Sequence, residues 1–198
     1  MMVVGITGGI GSGKSTACQI FRVLGIPIYD ADSRAKWLME HDPQLQASIK
    51  NLLSEQAFDP DGRLNNAYIA ELVFKNPALL AKLNALVHPA VAVDTSKWLG
   101  AQNSPYVLKE AALLFESGAS RNMDAVIVVH ADEQIRIERV MLRNKITEEQ
   151  VKDRIKRQMP ETEKLRLADY IILNDGSQSL IRQVLSLHQT LLDRSKTF

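Results

Sequence analysis

Five short apolar runs punctuate the chain: Met2–Ile6, Ile26–Tyr29, Tyr106–Leu108, Ala125–Val129 and Tyr170–Leu173. They are continuous rather than alternating, the pattern of strands covered on both faces in a parallel sheet. Longer stretches with apolar residues at helical spacing separate them, so a helical stretch is expected after each strand. The order predicts an α/β fold with a doubly wound, mostly parallel five-stranded sheet and right-handed crossovers.

The intervals are uneven. Residues 32–103 read as entirely helical. Pro43 suits the first turn of one helix and Asn65 the N-cap of the next. Pro77 opens a third, and Pro89 is expected to kink or restart it. Asp59-Pro60-Asp61-Gly62 is a turn. Further on, Thr147-Glu148-Glu149-Gln150 fits a capping box that starts a helix. The expected organisation is a core of residues 1–31, 104–135 and 168–198, a helical insert of substrate-binding size at 32–103, and a helical segment at 136–167.

Composition narrows the class. The 198 residues are 45% hydrophobic and 24% charged, the mix of a globular protein able to bury a sizeable core. With 24 Lys+Arg against 23 Asp+Glu the net charge is only +1, which argues against a general nucleic-acid binder. One cysteine, Cys18, permits no internal disulfide. No secretory leader and no membrane-length apolar run is visible, so a cytoplasmic protein is expected. The charge is not evenly spread. From Arg136 to Arg166 there are ten Lys/Arg against six Asp/Glu, which suits a mobile basic lid.

Gly8-Gly9-Ile10-Gly11-Ser12-Gly13-Lys14-Ser15 fits the P-loop pattern, with an apolar strand before it and a helix after it that Gly25 can end. Glycines let the backbone fold into a nest of N–H groups, and the helix N-terminus adds partial positive charge. Lys14 is expected at the β- and γ-phosphates of ATP, and the Ser15 hydroxyl on Mg²⁺. A GTPase is excluded: its guanine-reading Asn-Lys-x-Asp is absent, since Asn144-Lys145-Ile146-Thr147 lacks the Asp. A small-molecule kinase is favoured over a motor, which would need more chain.

Such a kinase needs a group to orient or deprotonate the acceptor hydroxyl, and cations for the transferring phosphoryl group. Asp30 and Asp32 follow the second strand, where ligands bind in a doubly wound sheet. Asp32 is either that group or merely the cap of the helix after it. Arg139 and Arg143 lie four apart on one helix face and are candidate cations. Cys18 reads as a core residue.

These blocks, in order, resemble the dephospho-CoA kinase family over essentially the whole chain. Beyond the P-loop, the likeness is carried by Asp30-Ala31-Asp32, Leu83 to Pro89, Leu113-Leu114-Phe115-Glu116, the Arg139/Arg143 pair and Asp169 to Ser177. The resemblance implies transfer of the ATP γ-phosphate to the ribose 3′-hydroxyl of dephospho-CoA. It implies Asp32 as base, Lys14 and Arg139 as catalytic cations, and nucleotide contacts from Gly9, Gly11, Ser12, Gly13, Ser15, Thr16, Arg143 and Asn174. Thr7, His88 and Glu116 would join Asp32 at the acceptor. His88 reads equally as a helix-end histidine, and Glu110 and Glu116 either orient water or acceptor or serve burial and capping. A monomer or weak homo-oligomer is expected. The family often has Asp-Arg where Asn65-Asn66 stands, which alters any phosphate contact made there. A nucleoside or nucleotide kinase, or a non-enzymatic ATP-binding regulator, are the other readings.

Overall fold

The computed structural model describes residues 1–197, those at 74 and 75 by backbone alone; Phe198, the last residue of the expected core, lies outside them. The chain divides into two compact units, residues 1–29 with 102–198, and residues 30–101.

The first unit is built on a five-stranded parallel sheet. The strands are β1 (Met2–Thr7), β2 (Ile28–Asp30), β3 (Tyr106–Glu110), β4 (Ala125–His130) and β5 (Tyr170–Leu173), in the order β2-β3-β1-β4-β5. The register sets Ile6 opposite Glu110 on one side of β1, and Thr7 opposite Val128 on the other. Thus the carboxyl end of β1 lies between those of β3 and β4. Helix α1 (Lys14–Val23) buries Ala17, Cys18 and Phe21 in a core that also holds Val4, Ile6, Leu108, Ile127 and Ile172. Gly25 ends α1's turn with a left-handed backbone, as expected.

One crossover departs from the sequence reading. Between β3 and β4 no α-helix forms; residues 111–124 run through turns and a 3₁₀ segment, Ala119–Asn122. The side chain of Leu114 is the reason. It is fully buried, and its Cδ2 lies 2.6 Å from where a Cβ on Gly5 would stand. The chain dips to fill the opening that Gly5 leaves, and a regular helix is lost.

The second unit is helical: α2 (Ala31–His41), α3 (Pro43–Leu53), a 3₁₀ turn at Glu55–Ala57, α4 (Asn66–Lys75) and α5 (Pro77–Gly100). Pro43 and Pro77 occupy first-turn positions, and Asn65 accepts the Tyr68 N–H at 3.1 Å as N-cap of α4. Helix α5 continues through Pro89, so the helix does not restart there. A proline inside a helix costs about 3 kcal/mol. Burial of Leu83 and Val87 just before it, with Leu86, Ala90 and Val91 against the same cluster, offsets that loss.

Four helices complete the first unit: α6 (Glu133–Asn144), α7 (Glu148–Ile155), α8 (Glu161–Leu167) and α9 (Leu180–Ser195). The capping box at α7 is complete: Gln150 N–H donates to Thr147 Oγ1, and Thr147 N–H to Gln150 Oε1. Thr147→Ala is therefore expected to lower unfolding free energy by about 1 kcal/mol in urea titration; an unchanged midpoint would contradict this. Val151 of α7 packs with Ile137 and Val140 of α6 in a small separate core.

Candidate active site

The loop after β1 owes its path to glycine. Gly11 and Gly13 have φ of +83° and +89°, conformations that L side chains avoid. A Cβ on Gly11 would collide with the carbonyl oxygen of Arg136, and one on Gly13 with the Asn174 side-chain amide. Gly13 is the N-cap of α1 and supplies no side-chain acceptor, so N–H groups of the first turn remain for an anion. Gly11→Ala should cost at least about 1–2 kcal/mol from backbone conformation alone, and weaken ATP binding. A wild-type denaturation midpoint would contradict the tight fit.

Glu110, the last residue of β3, closes the loop's mouth. Its Oε1 lies 3.1 Å from Lys14 Nζ and accepts the Ser15 hydroxyl proton at 3.0 Å. The lysine and glutamate side chains are only 14% and 8% exposed, so the pair is largely withdrawn from water. Cys18 lies beneath, its thiol pushed well up by burial, with the nearby Glu110 carboxylate adding to the rise. It is a neutral core group, as the sequence suggested.

Three side chains from distant parts of the chain brace the loop. Asn174, just after β5, donates from Nδ2 to the Ser12 carbonyl at 2.8 Å. Gln183 of α9 fixes the strand end before it, accepting from Leu173 N–H and donating to Leu173 O, both at 2.8 Å. Gln158 Oε1 accepts the Ile10 N–H at 2.9 Å. Arg136, 3% exposed, donates from Nε to the Ala131 carbonyl at 3.0 Å, and its guanidinium lies against Gly9. Glu161 Oε2 stands 3.8 Å from Arg136 Nη1, and its Oε1 is 2.9 Å from His130 Nδ1. Arg136, Gln158, Glu161 and His130 were not singled out as site residues. Gln158 and Glu161 meet partners on other elements, Ile10, His130 and Arg136, and no local pattern signals those contacts.

The remaining sequence candidates fall as follows. Thr7 is fully buried, its hydroxyl 3.4 Å from the Ala112 carbonyl. The Ser12 hydroxyl is buried without a hydrogen-bond partner, and Thr16 is exposed on the first turn of α1. On α6, Arg139 Nη1 is also buried and unpartnered, whereas Arg143 is exposed and donates to Asn144 Oδ1 at 3.0 Å. Glu116 is engaged within the protein: its Oε1 accepts the Met159 N–H at 2.8 Å and lies 3.2 Å from Lys164 Nζ, whose side chain is fully buried.

In the helical unit the capping question resolves against Asp32. Asp30 caps α2, accepting from Ser33 N–H at 3.0 Å and from the Ser33 hydroxyl at 2.6 Å. β2 stays extended through Asp30, so the helix begins one residue before Asp32 and places Asp32 in its first turn, exposed. His88 is exposed on α5.

Ser15 Oγ and Glu110 are hard oxygen donors already in contact. Among the described residues no group of three or more His, Cys, Asp or Glu could cage an ion. That donor set fits Mg²⁺, which takes one or two protein oxygens and fills its sphere with phosphate and water. Among the described residues no helix is long and apolar enough to cross a membrane.

The chain is similar to known proteins along nearly its whole length. The dephospho-CoA kinase family profile matches residues 2–179. A dephospho-CoA kinase of Leptospira interrogans is 40% identical over 194 residues, 97% of this chain and 94% of its own. One from Porphyromonas gingivalis is 38% identical over 192 residues, 96% and 95% of the two chains. A crystal structure of a Thermus thermophilus protein superposes with TM-score 0.87 at 35% identity over 96% of each chain. The dephospho-CoA kinase from Campylobacter jejuni gives 0.70 at 26%, covering 97% of this chain and 98% of its own. With a P-loop held between β3 and β4 and likeness along nearly its whole length, the chain belongs to the dephospho-CoA kinase family.

Proposed function

We propose that the chain transfers the γ-phosphate of ATP to the ribose 3′-hydroxyl of dephospho-CoA, forming coenzyme A in the cytoplasm. The observation that carries this reading is the contact among Lys14, Ser15 and Glu110 at the mouth of the P-loop, in a chain of this family. Backbone N–H groups of the P-loop that are not already bonded within the protein, those of Gly11, Gly13, Lys14 and Ser15 among them, receive the phosphates, and Lys14 leaves Glu110 to follow the charge on the transferring group. Arg139 supplies a second cation through its unpartnered Nη1, with Arg143 beside it on the same helix. Asn174 supports the nucleotide site through the Ser12 carbonyl.

Ser15 and Glu110 would hold Mg²⁺, which neutralises charge on the β- and γ-phosphates when bound. Asp32 orients the 3′-hydroxyl and takes its proton, with Thr7 and His88 as further acceptor contacts. A contact from Glu116 must coexist with, or displace, its bonds to Met159 and Lys164. The basic segment closes over bound ATP, and one copy of the chain suffices for the reaction.

Coupled ADP release, measured with and without dephospho-CoA, tests the reading. Turnover that depends on dephospho-CoA is expected, with adenosine a far poorer acceptor because remote binding energy is lost. ATP binding without turnover would leave a regulator, and equal kcat/KM for adenosine would leave another acceptor.

A further inference from the structure

Gln158 lies between α7 and α8, inside the basic segment, and accepts the Ile10 N–H at 2.9 Å. Ile10 is the third residue of the P-loop motif, flanked by Gly9 and Gly11. One N–H of the phosphate nest is therefore committed to a side chain 148 residues away. The stretch around Gln158 is itself anchored. The next residue, Met159, donates its N–H to Glu116, and Lys164 is buried against the same carboxylate oxygen.

On the other side of the motif, Gly9 is boxed in by Arg136 and by Glu161, whose Oε2 lies 2.9 Å from where a Cβ would stand. The Ile10 peptide unit is thus held by contacts whose own partners are buried or paired. A P-loop binds phosphate only while successive peptide units keep their N–H groups turned inward. Freed at Ile10, that peptide unit can rotate, and its neighbours lose their common aim. A neutral amide oxygen suits the task. A carboxylate would accept the same bond but set a negative charge beside a phosphate site.

We propose that Gln158 is a positioning residue of the nucleotide site: by accepting the Ile10 N–H it fixes the phosphate nest and gives the basic segment a stationary footing on it. The proposal rests on the P-loop being the ATP site. Its effect falls on ATP and spares the acceptor.

Two variants test it by calorimetric titration with magnesium-ATP and by steady-state kinetics. Gln158→Met keeps the length of the side chain and removes the acceptor. It should weaken ATP binding about five- to tenfold, the worth of one net hydrogen bond. The KM for ATP should rise in step, with the KM for dephospho-CoA within about twofold of wild type and little change in melting temperature. Gln158→Glu keeps the acceptor and adds the charge. It should melt as wild type does and lose ATP affinity at low ionic strength, with salt restoring part of the loss.

A Gln158→Met protein that binds ATP as wild type does, or that loses ATP and dephospho-CoA affinity equally, overturns the proposal. If Gln158→Met does not fold, Gln158→Glu decides: wild-type ATP affinity at low salt overturns it. Wild-type protein that fails to bind ATP would instead sink the P-loop assignment beneath it.

Discussion

Replacing Lys14 by alanine is expected to lower kcat by about 10³-fold, the upper end for loss of one preorganised donor. The lysine contributes a full charge where the transferring phosphoryl group gathers negative charge, and it is the cation paired with Glu110. The same substitution has a cost in stability. Glu110, 8% exposed, is left with hydroxyl and thiol donors, Ser15 and Cys18, once its ion-pair partner is gone. Unpairing a buried charge costs about 3–5 kcal/mol at full burial, and somewhat less here. Lys14→Arg separates the two effects. It keeps a cation for Glu110, so melting should recover, while its rigid fork cannot reproduce a point charge on the phosphates and activity stays low. Turnover of Lys14→Ala within about threefold of wild type would mean that this loop is not the ATP site.

Asp32→Asn is expected to lower kcat by about 10²–10⁴-fold, the usual range for a general base. Its stability should barely change, because the carboxylate that caps α2 belongs to Asp30. What remains at Asp32 is a favourable first-turn charge, worth about 0.3–1 kcal/mol. Asp30→Ala provides the converse. It strands two donors on Ser33 and should cost about 1 kcal/mol of stability, with a much smaller effect on kcat. A silent Asp32→Asn would remove Asp32 from the reaction. The Asp30 variants then need a kinetic defect of their own before Asp30 could inherit the role.

The two aspartates show where sequence reading stops. Both are acids beside a helix start, and the cap goes to whichever residue retains extended geometry. That depends on how far β2 continues, which sheet pairing decides rather than local propensity. The strands, the first-turn prolines, the Asn65 cap and the Thr147 capping box were legible because each is a local pattern with a local cause. The P-loop was legible for the same reason. Glu110 was noted, but its partners could not be read. Ser15 lies 95 residues away with Lys14 beside it, and they meet Glu110 through the register of β1 against β3.

The basic segment shows a further limit of sequence reading. Its excess of cations suits a mobile lid, but two of those cations, Arg136 and Lys164, are buried and face Glu161, Glu133 and Glu116. Counting charges along a chain cannot tell a free cation from one already paired. The missing helix between β3 and β4 has a similar origin, since Leu114 follows an opening made by a glycine on another strand.

The position of the transferred phosphate tests the central claim most directly. The protein would be incubated with γ-labelled ATP and dephospho-CoA, and the product analysed by phosphorus NMR and mass spectrometry. The account predicts one new phosphate per ADP released, on the ribose 3′-oxygen. Label elsewhere on the acceptor, or ADP formed at the same rate without dephospho-CoA, would contradict it.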